Sequence, residues 1–190
     1  MVENIGKYLS EVSELVLKIP PSSVERITSL ILEAYRNSKR VFVFGNGGGS
    51  STSAHFVCDL AKGTACEGKP RLKAVSLAVN IPLLTAWAND TDYTNTFGEQ
   101  LKNLVEPGDV AIGLSGSGMS PNVINAFKVA REAGATAVLF SGFDGGQAVH
   151  LAHDSIVVPS EDMQQIEDVH MILTHIVFRM LREKIAEMDT

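Results

Sequence analysis

The sequence predicts one α/β domain, in which helices cover both faces of a doubly wound parallel sheet of about five strands. Five short runs are almost continuously apolar, which is typical of parallel strands buried on both faces. Helical segments alternate with these runs and join them through short loops, as right-handed crossovers require. Neither a repeat nor a linker interrupts the 190 residues, so residues 1–190 are expected to form a single domain.

Each element of this three-layer arrangement follows from a local pattern. Strands are expected at residues 41–44, 73–79, 110–114, 136–140 and 155–158. Helices are expected at residues 50–62, 81–87, 94–104 and 120–133, with a short one near 146–151 and a long final one at 161–187. Ser120 followed by Pro121 is typical of a helix start, because serine caps the helix and proline fits its first turn.

Two further helices are expected before the first strand. Apolar residues recur at helical spacing over residues 3–18, and Pro20 with Pro21 ends that helix. Ser22 then offers an N-cap, with Glu25 as its capping-box partner, for a second helix that runs to about residue 37. The apolar stripe of the first helix is wide, so residues 1–38 are expected to contribute to oligomerisation. Residues 39–190 are expected to form the ligand-binding core.

Composition and charge argue against several classes of function. The formal net charge is −6 and no basic run exceeds two residues, whereas a nucleic-acid surface needs clustered lysine and arginine. The two cysteines, Cys58 and Cys66, are expected to be reduced thiols. Neither an N-terminal apolar h-region nor an uninterrupted apolar stretch of about 18 residues occurs, so neither a signal peptide nor a membrane span is expected. The expected location is the cytoplasm.

Three loops that follow predicted strands are unusually rich in glycine and serine. They comprise residues 45–51, 114–123 and 141–146, and each leads towards a helix. Inward-turned N–H groups, helix N-termini and serine hydroxyls all attract anions, so these loops predict a phosphate site at the carboxyl edge of the sheet. The second loop is the best candidate, because it contains Ser115, Ser117 and Ser120. Since no Walker or dinucleotide fingerprint is present, the pattern favours a sugar phosphate and no nucleotide cofactor.

Titratable residues gather in two segments. His55 and Asp59 are four residues apart on the helix after the first loop, so their side chains share one face. Glu167, His170 and His175 lie on the last helix, where Glu167 and His175 are about 12 Å apart along the axis. These groups could form a four-ligand site for zinc or another divalent metal, or act as acid and base without metal. Spacing alone leaves both hypotheses open.

Asn89 and Asp90 form a polar pair after an apolar segment. Their side chains could point at the hydroxyl groups of a ligand or cap the next helix. The local pattern does not distinguish between these two roles.

Five segments together resemble the phosphoheptose isomerases, a family of single-domain sugar isomerase (SIS) proteins. They are GNGGGSSTSAHFVCDL, AWANDTDYTNTFGEQL, EPGDVAIGLSGSGMSPNVINAFKVAREAGA, SGFDGG and QIEDVHMILTH, and they extend over nearly the whole chain. The resemblance implies conversion of sedoheptulose 7-phosphate to D-glycero-D-manno-heptose 7-phosphate through an enediol. This product leads to ADP-heptose for lipopolysaccharide or S-layer glycans. The resemblance also implies a homotetramer with active sites between subunits.

The resemblance further implies roles for individual residues. Substrate contacts are implied for Asn46, Gly47, Gly48, Asn89, Asp90, Ser115, Gly116, Ser117, Ser120 and Glu167, with the three serines holding the phosphate. Ligation of a divalent metal such as zinc is implied for His55, Asp59, Glu167 and His175. In that scheme Asp59 is the catalytic base and His175 is its acid–base partner.

Several positions depart from the family pattern. Asp59 stands where the family has a glutamate, Glu167 where it has a glutamine, and Gly116 where it has a threonine. A shorter acid can displace the reacting carboxylate, and an added negative charge should tighten metal binding or leave one acid protonated. These changes leave two alternatives open. One is a non-catalytic SIS protein that binds a sugar phosphate or a protein partner such as the replication initiator, and the other is an isomerase of another phosphorylated sugar.

Overall fold

The computed structural model describes residues 2–188, which contain one sheet of five strands. The strands are β1 Arg40–Gly45, β2 Lys73–Ser76, β3 Val110–Leu114, β4 Thr136–Ser141 and β5 Asp154–Val157. Their spatial order is β2-β1-β3-β4-β5, and every neighbouring pair is parallel. The predicted doubly wound α/β fold class is confirmed.

Seven α-helices of the described residues pack around this sheet. They are α1 Val2–Lys18, α2 Pro21–Arg36, α3 Gly48–Cys58, α4 Ile81–Asp90, α5 Gly98–Lys102, α6 Pro121–Glu132 and α7 Met163–Glu187. Side chains alternate along β1, so Val41 and Val43 pack in the core with α2, α3 and α7. Phe42 and Phe44 pack with α5 and α6 in the core of the other face. Helices therefore cover both faces, and α1 packs against α7.

Two predicted boundaries near the edge of the fold were wrong. The strand predicted at residues 73–79 ends at Ser76, because β2 has a neighbour on one side only and the chain turns away from the sheet after it. The second helix begins at Pro21, with Pro20 as its N-cap, so the predicted Ser22 cap is wrong. Proline starts this helix because its fixed φ suits the first helical position and its missing N–H is not needed there.

Three predicted helices are interrupted or shortened. The Asp92 carboxylate accepts from the Thr94 N–H at 2.8 Å and starts a 3₁₀ turn at Tyr93–Asn95, which separates this segment from α5. The helix near residues 146–151 is only a 3₁₀ turn at Ala148–His150, because Gly145 and Gly146 before it have positive φ. α3 ends at Cys58 and continues as a π-helical turn at Asp59–Gly63, a feature that is often found at functional sites.

The carboxyl ends of β1 and β3 lie side by side, with Gly45 paired to Leu114. The strand order reverses between these two strands, and open α/β sheets bind ligands at such a switch point. The fold therefore places the loops after β1 and β3 where a ligand is expected.

No helix among residues 2–188 combines the length and the apolar character needed to cross a membrane. The division into an oligomerisation segment at 1–38 and a binding core at 39–190 stays a prediction, and residues 1, 189 and 190 lie outside the described part.

The N-terminus of α7 provides a test of how this helix is held. The Asp162 carboxylate accepts from the backbone N–H groups of Gln164 and Gln165 at 3.0 and 3.2 Å. Asp162→Ala is expected to lower the free energy of unfolding by about 1 kcal/mol, because it removes this cap. Urea unfolding measures the change. Glu161→Ala removes the adjacent exposed acid and should change stability by less than about 0.5 kcal/mol; equal losses in both variants would contradict the capping role.

Candidate active site

A cleft with a cavity of about 280 Å³ opens at the carboxyl ends of β1 and β3. Its walls are the loop after β1, the loop after β3 and the first turns of α7. The lining residues are Asn46, Gly47, Gly49, Leu114, Ser115, Gly116, Ser117, Ser120, Met163, Glu167 and His170. The structure thus brings together seven of the residues for which the sequence predicted substrate contacts.

The loop after β1 passes unusually close to the end of β3. Gly45 and Gly49 lie beside the Leu114 carbonyl oxygen, which a Cβ at these positions would approach to 2.6 and 3.0 Å. Gly48 in turn leaves space for the Glu167 carboxylate, with which a side chain at residue 48 would collide. The small residues allow α3 to begin directly at the cleft.

The loop after β3 presents serine hydroxyl groups. Ser115 is buried and donates to Ser120 Oγ at 3.1 Å, while Ser117 Oγ accepts from the Met119 N–H at 3.2 Å. Ser120 precedes α6 as predicted, but its hydroxyl makes no capping bond to that helix. Because Ser120 Oγ is the acceptor in its bond with Ser115, its own proton can point towards a ligand in the cleft.

The loop after β4 supports the serine loop from behind. The Gly142 N–H donates to the Gly116 carbonyl at 2.7 Å, and the Ala148 N–H donates to the Gly118 carbonyl at 2.9 Å. Gly118 lies so close to the Gly145 carbonyl that a Cβ could not be accommodated. Among the three predicted loops, this one is therefore a support and does not line the cavity.

A polar network that the sequence analysis did not single out holds Asn46. Asn46 Nδ2 donates to Asn122 Oδ1 at 2.8 Å, and Asn122 Nδ2 donates to Asn46 Oδ1 at 2.9 Å and to Thr96 Oγ1 at 3.3 Å. The Tyr93 hydroxyl lies 2.9 Å from Asn46 Oδ1. Asn122 is only 1% exposed. The one signal in the sequence was its place directly after the helix start at residues 120–121.

His55, Asp59 and His175 form a second polar cluster, between the end of α3 and the middle of α7. The two His Nε2 atoms are 2.9 Å apart, and Asp59 Oδ2 lies 3.4 Å from that of His55 and 3.8 Å from that of His175. Both imidazole rings are about half exposed, whereas Asp59 is partly shielded. Three potential metal-ligand atoms therefore converge at the protein surface.

Glu167 does not belong to this cluster in the same chain. The predicted set of four metal ligands is therefore divided, with three at the cluster and the Glu167 carboxylate beside Gly48 in the cleft. The reason is the rise of α7, because eight residues of helix separate Glu167 and His175 by about 12 Å.

Asn89 and Asp90 lie at the exposed C-terminal end of α4. Asn89 Nδ2 donates to Asp90 Oδ1 at 2.8 Å, and neither residue lines the cleft of its own chain. The alternative role as a helix cap belongs to Asp92, whose carboxylate starts the following turn.

His170 lines the cleft but is almost completely buried. Loss of hydration lowers its pKa from 6.5 to about 4, although a hydrogen bond with the Ser141 carbonyl at 3.1 Å acts in the opposite direction. Because a carbonyl oxygen can only accept, the neutral ring carries its proton on Nε2. His170 is therefore a neutral group at physiological pH.

Comparison with known proteins adds independent information. Residues 7–142 match the SIS domain family. The chain is 33% identical to the phosphoheptose isomerase of Aquifex aeolicus over 190 residues, which cover 98% of this chain and 99% of that protein. It is 35% identical to the probable phosphoheptose isomerase of Thermoplasma acidophilum over 178 residues, which cover 94% and 97%. The structure of the phosphoheptose isomerase GmhA from Neisseria gonorrhoeae matches with a TM-score of 0.88 and 27% identity, over 95% of this chain and 98% of that one.

The chain belongs to the phosphoheptose isomerase family. It is therefore a sugar phosphate isomerase, which favours the enzyme hypotheses over a non-catalytic SIS protein. At one position that departs from the family pattern, Met163 occupies the space beside Gly116. A threonine at residue 116 would require the end of the Met163 side chain to move.

The depressed pKa of His170 predicts how stability depends on pH. His170 binds a proton near pH 6.5 in the unfolded chain but only near pH 4 in the folded chain. The contribution of neutral His170 to stability is therefore fully present above pH 6.5 and is lost as the pH falls towards 4. His170→Gln should reduce the loss of unfolding free energy between pH 7.5 and pH 5 by about 2 kcal/mol. Urea unfolding at both pH values measures this loss. His150→Gln alters an exposed histidine and serves as the control; an unchanged pH dependence in His170→Gln would refute the argument.

Proposed function

We propose that this isomerase interconverts sedoheptulose 7-phosphate and D-glycero-D-manno-heptose 7-phosphate through an enediol, in the cytoplasm, as a step towards ADP-heptose. The convergence of His55, Asp59 and His175 is the observation that carries the proposal, because it places a carboxylate base and an imidazole proton-transfer partner 3.8 Å apart. The names of the similar proteins support the choice of substrate.

The cluster fits a divalent metal such as zinc. Two imidazole nitrogens and one carboxylate, with further positions open, are a common ligand set of catalytic zinc. His55, Asp59 and His175 would hold the ion, and Glu167 would meet the substrate from the cleft. A bound divalent metal would act as a Lewis acid and polarise the substrate oxygens.

Asp59 and His175 would divide the two proton transfers of the reaction. Asp59 takes a proton from carbon 1 of the ketose, and the electrons of that bond form the double bond of the enediol. His175 moves a proton between the oxygens on carbons 2 and 1. Return of the first proton to carbon 2 then completes the aldose, so neither an oxidant nor a reductant is consumed.

The serine loop would anchor the phosphate far from the reacting carbons. Ser115, Ser117 and Ser120 lie before the N-terminus of α6, where hydroxyl groups and the helix dipole favour an anion. Binding energy from this remote group would orient the carbonyl end of the sugar at the acid–base cluster.

A homotetramer with active sites between subunits would complete the site. α4 has no fully buried residue and exposes Ile81 at 59%, and α1 exposes apolar side chains that include Leu17 at 81%. Exposed apolar surface of this kind is typical of an interface. Asn89 and Asp90 at the end of α4 would then reach the substrate in a neighbouring subunit.

The substitutions at Asp59, Glu167 and Gly116 favour a second candidate, an isomerase of another phosphorylated sugar. These residues would contact the ligand, so a changed set could change which sugar is preferred. The same assay distinguishes the candidates when ribose 5-phosphate and fructose 6-phosphate are compared with sedoheptulose 7-phosphate.

The reaction predicts both turnover and isotope exchange. With zinc or manganese present, NMR in deuterium oxide should detect heptose 7-phosphate, and deuterium at carbon 1 of the ketose or carbon 2 of the aldose. Asp59→Asn should lower kcat by about 10²- to 10⁴-fold, because it removes the base. It should also lower the amount of zinc that remains bound after dialysis.

The control for this prediction is Glu183→Gln, which removes an exposed acid on α7 about two turns after His175. It should retain both activity and zinc. Absence of turnover with every divalent metal and every sugar phosphate would refute the proposed function.

The proposed tetramer predicts that a charge on α1 weakens assembly. Leu9→Lys places a charge on the exposed apolar stripe and should lower the mass measured by light scattering at micromolar concentration, because it desolvates a charge in an interface. Glu14→Lys adds the same side chain at another exposed position of α1 and should leave the mass unchanged. A wild-type mass equal to 20.4 kDa would contradict the tetramer.

A further inference from the structure

We propose that Tyr93 and Asn122 are positioning residues that lock the Asn46 side chain so that it offers the ligand an N–H group and not an oxygen. The inference rests on the proposed function for the identity of the ligand, a sugar phosphate, and adds a specificity rule to that site. It follows from the directions of the hydrogen bonds around Asn46.

A backbone carbonyl fixes the direction of these bonds. The Thr96 hydroxyl donates to the Tyr93 carbonyl oxygen at 2.9 Å, and its single proton is then used. Thr96 Oγ1 can therefore only accept from Asn122, which lies 3.3 Å away. The atom of Asn122 that faces Thr96 must be the donor Nδ2.

The orientation of Asn122 in turn determines that of Asn46. Asn122 Nδ2 donates its second hydrogen to Asn46 Oδ1 at 2.9 Å, and Asn122 Oδ1 accepts from Asn46 Nδ2 at 2.8 Å. A reversed Asn46 amide would set two N–H groups against each other and two oxygens against each other. Because Asn122 and Thr96 are buried, neither can turn to relieve that conflict at low cost.

The Tyr93 hydroxyl completes the lock from the outside. It lies 2.9 Å from Asn46 Oδ1 and must be the donor, since that oxygen can only accept. Both lone pairs of Asn46 Oδ1 are then occupied, by Asn122 and by Tyr93. One hydrogen of Asn46 Nδ2 has no acceptor among the described residues.

The remaining N–H defines the ligand chemistry at this position. Asn46 lines the cleft together with the serine loop, so its N–H can donate to an oxygen of the phosphate or of the sugar. A free asparagine could turn and accept from a sugar hydroxyl instead. The lock removes that option and spares the rotamer entropy that a mobile side chain would lose on binding.

Tyr93→Phe is the decisive substitution, because Tyr93 is 56% exposed and removal of its hydroxyl leaves no buried cavity. We expect the KM for sedoheptulose 7-phosphate to rise about three- to tenfold, the range that one neutral hydrogen bond contributes, with kcat within about twofold of the wild type. Asn46→Ala should weaken binding more. The double variant should equal Asn46→Ala, because Tyr93 acts only through Asn46.

Tyr35→Phe is the control. It also removes a tyrosine hydroxyl, one that donates to the Pro70 carbonyl oxygen away from the cleft. It should leave KM unchanged. Thermal unfolding and light scattering check that Tyr93→Phe retains the fold and the assembly. An unchanged KM in Tyr93→Phe, or losses that multiply in the double variant, would overturn the inference.

Dissociation constants for inorganic phosphate, measured by calorimetry on the same variants, separate this inference from the proposed function. If the wild type binds phosphate but turns over no sugar phosphate, the proposed function fails. The dissociation constants of the wild type, the two single variants and the double variant then test whether Tyr93 and Asn46 act together. The same non-additive pattern then supports the lock, and independent effects overturn it. A wild type that binds neither phosphate nor sedoheptulose 7-phosphate would overturn it as well.

Discussion

The contact between the loop after β1 and the end of β3 determines where the candidate site begins and where α3 starts. Gly45 and Gly49 bring the backbone against the Leu114 carbonyl, and a Cβ at residue 45 would approach that oxygen to 2.6 Å and push the paired ends of β1 and β3 apart. α3 starts from this loop and carries His55 and Asp59. The position of the acid–base cluster therefore depends on a backbone contact about ten residues earlier in the chain.

Three ionisable residues of α7 that lie near the candidate site have different environments. Glu167 faces the cleft, His170 is buried against β4, and His175 meets α3 at the surface. Because these residues share one rigid helix, the distances between their environments are fixed by helical rise. The capped N-terminus of α7 and its packing against α3 thus hold cleft and cluster in one frame.

Much of this architecture could be predicted from the sequence, because it depends on patterns within single elements. Apolar runs identified the five strands, and the spacing of His55 and Asp59 placed both on one face of a helix. The separation of Glu167 from His175 also followed from helical rise, although the resemblance had grouped them in one metal site. Contacts between elements were not predictable in the same way. Asn122 meets Asn46 only because the loops after β1 and β3 converge, and no spacing along the chain encodes that meeting.

α4 differs from the other long helices in that none of its residues is buried in the single chain. It carries Trp87, the one tryptophan of the sequence, whose indole N–H has no acceptor among residues 2–188. The largest fully buried side chains of the core are phenylalanines. Intrinsic tryptophan fluorescence therefore reports on the surroundings of this helix and not on the core, so the chain contains its own optical probe of whatever covers α4.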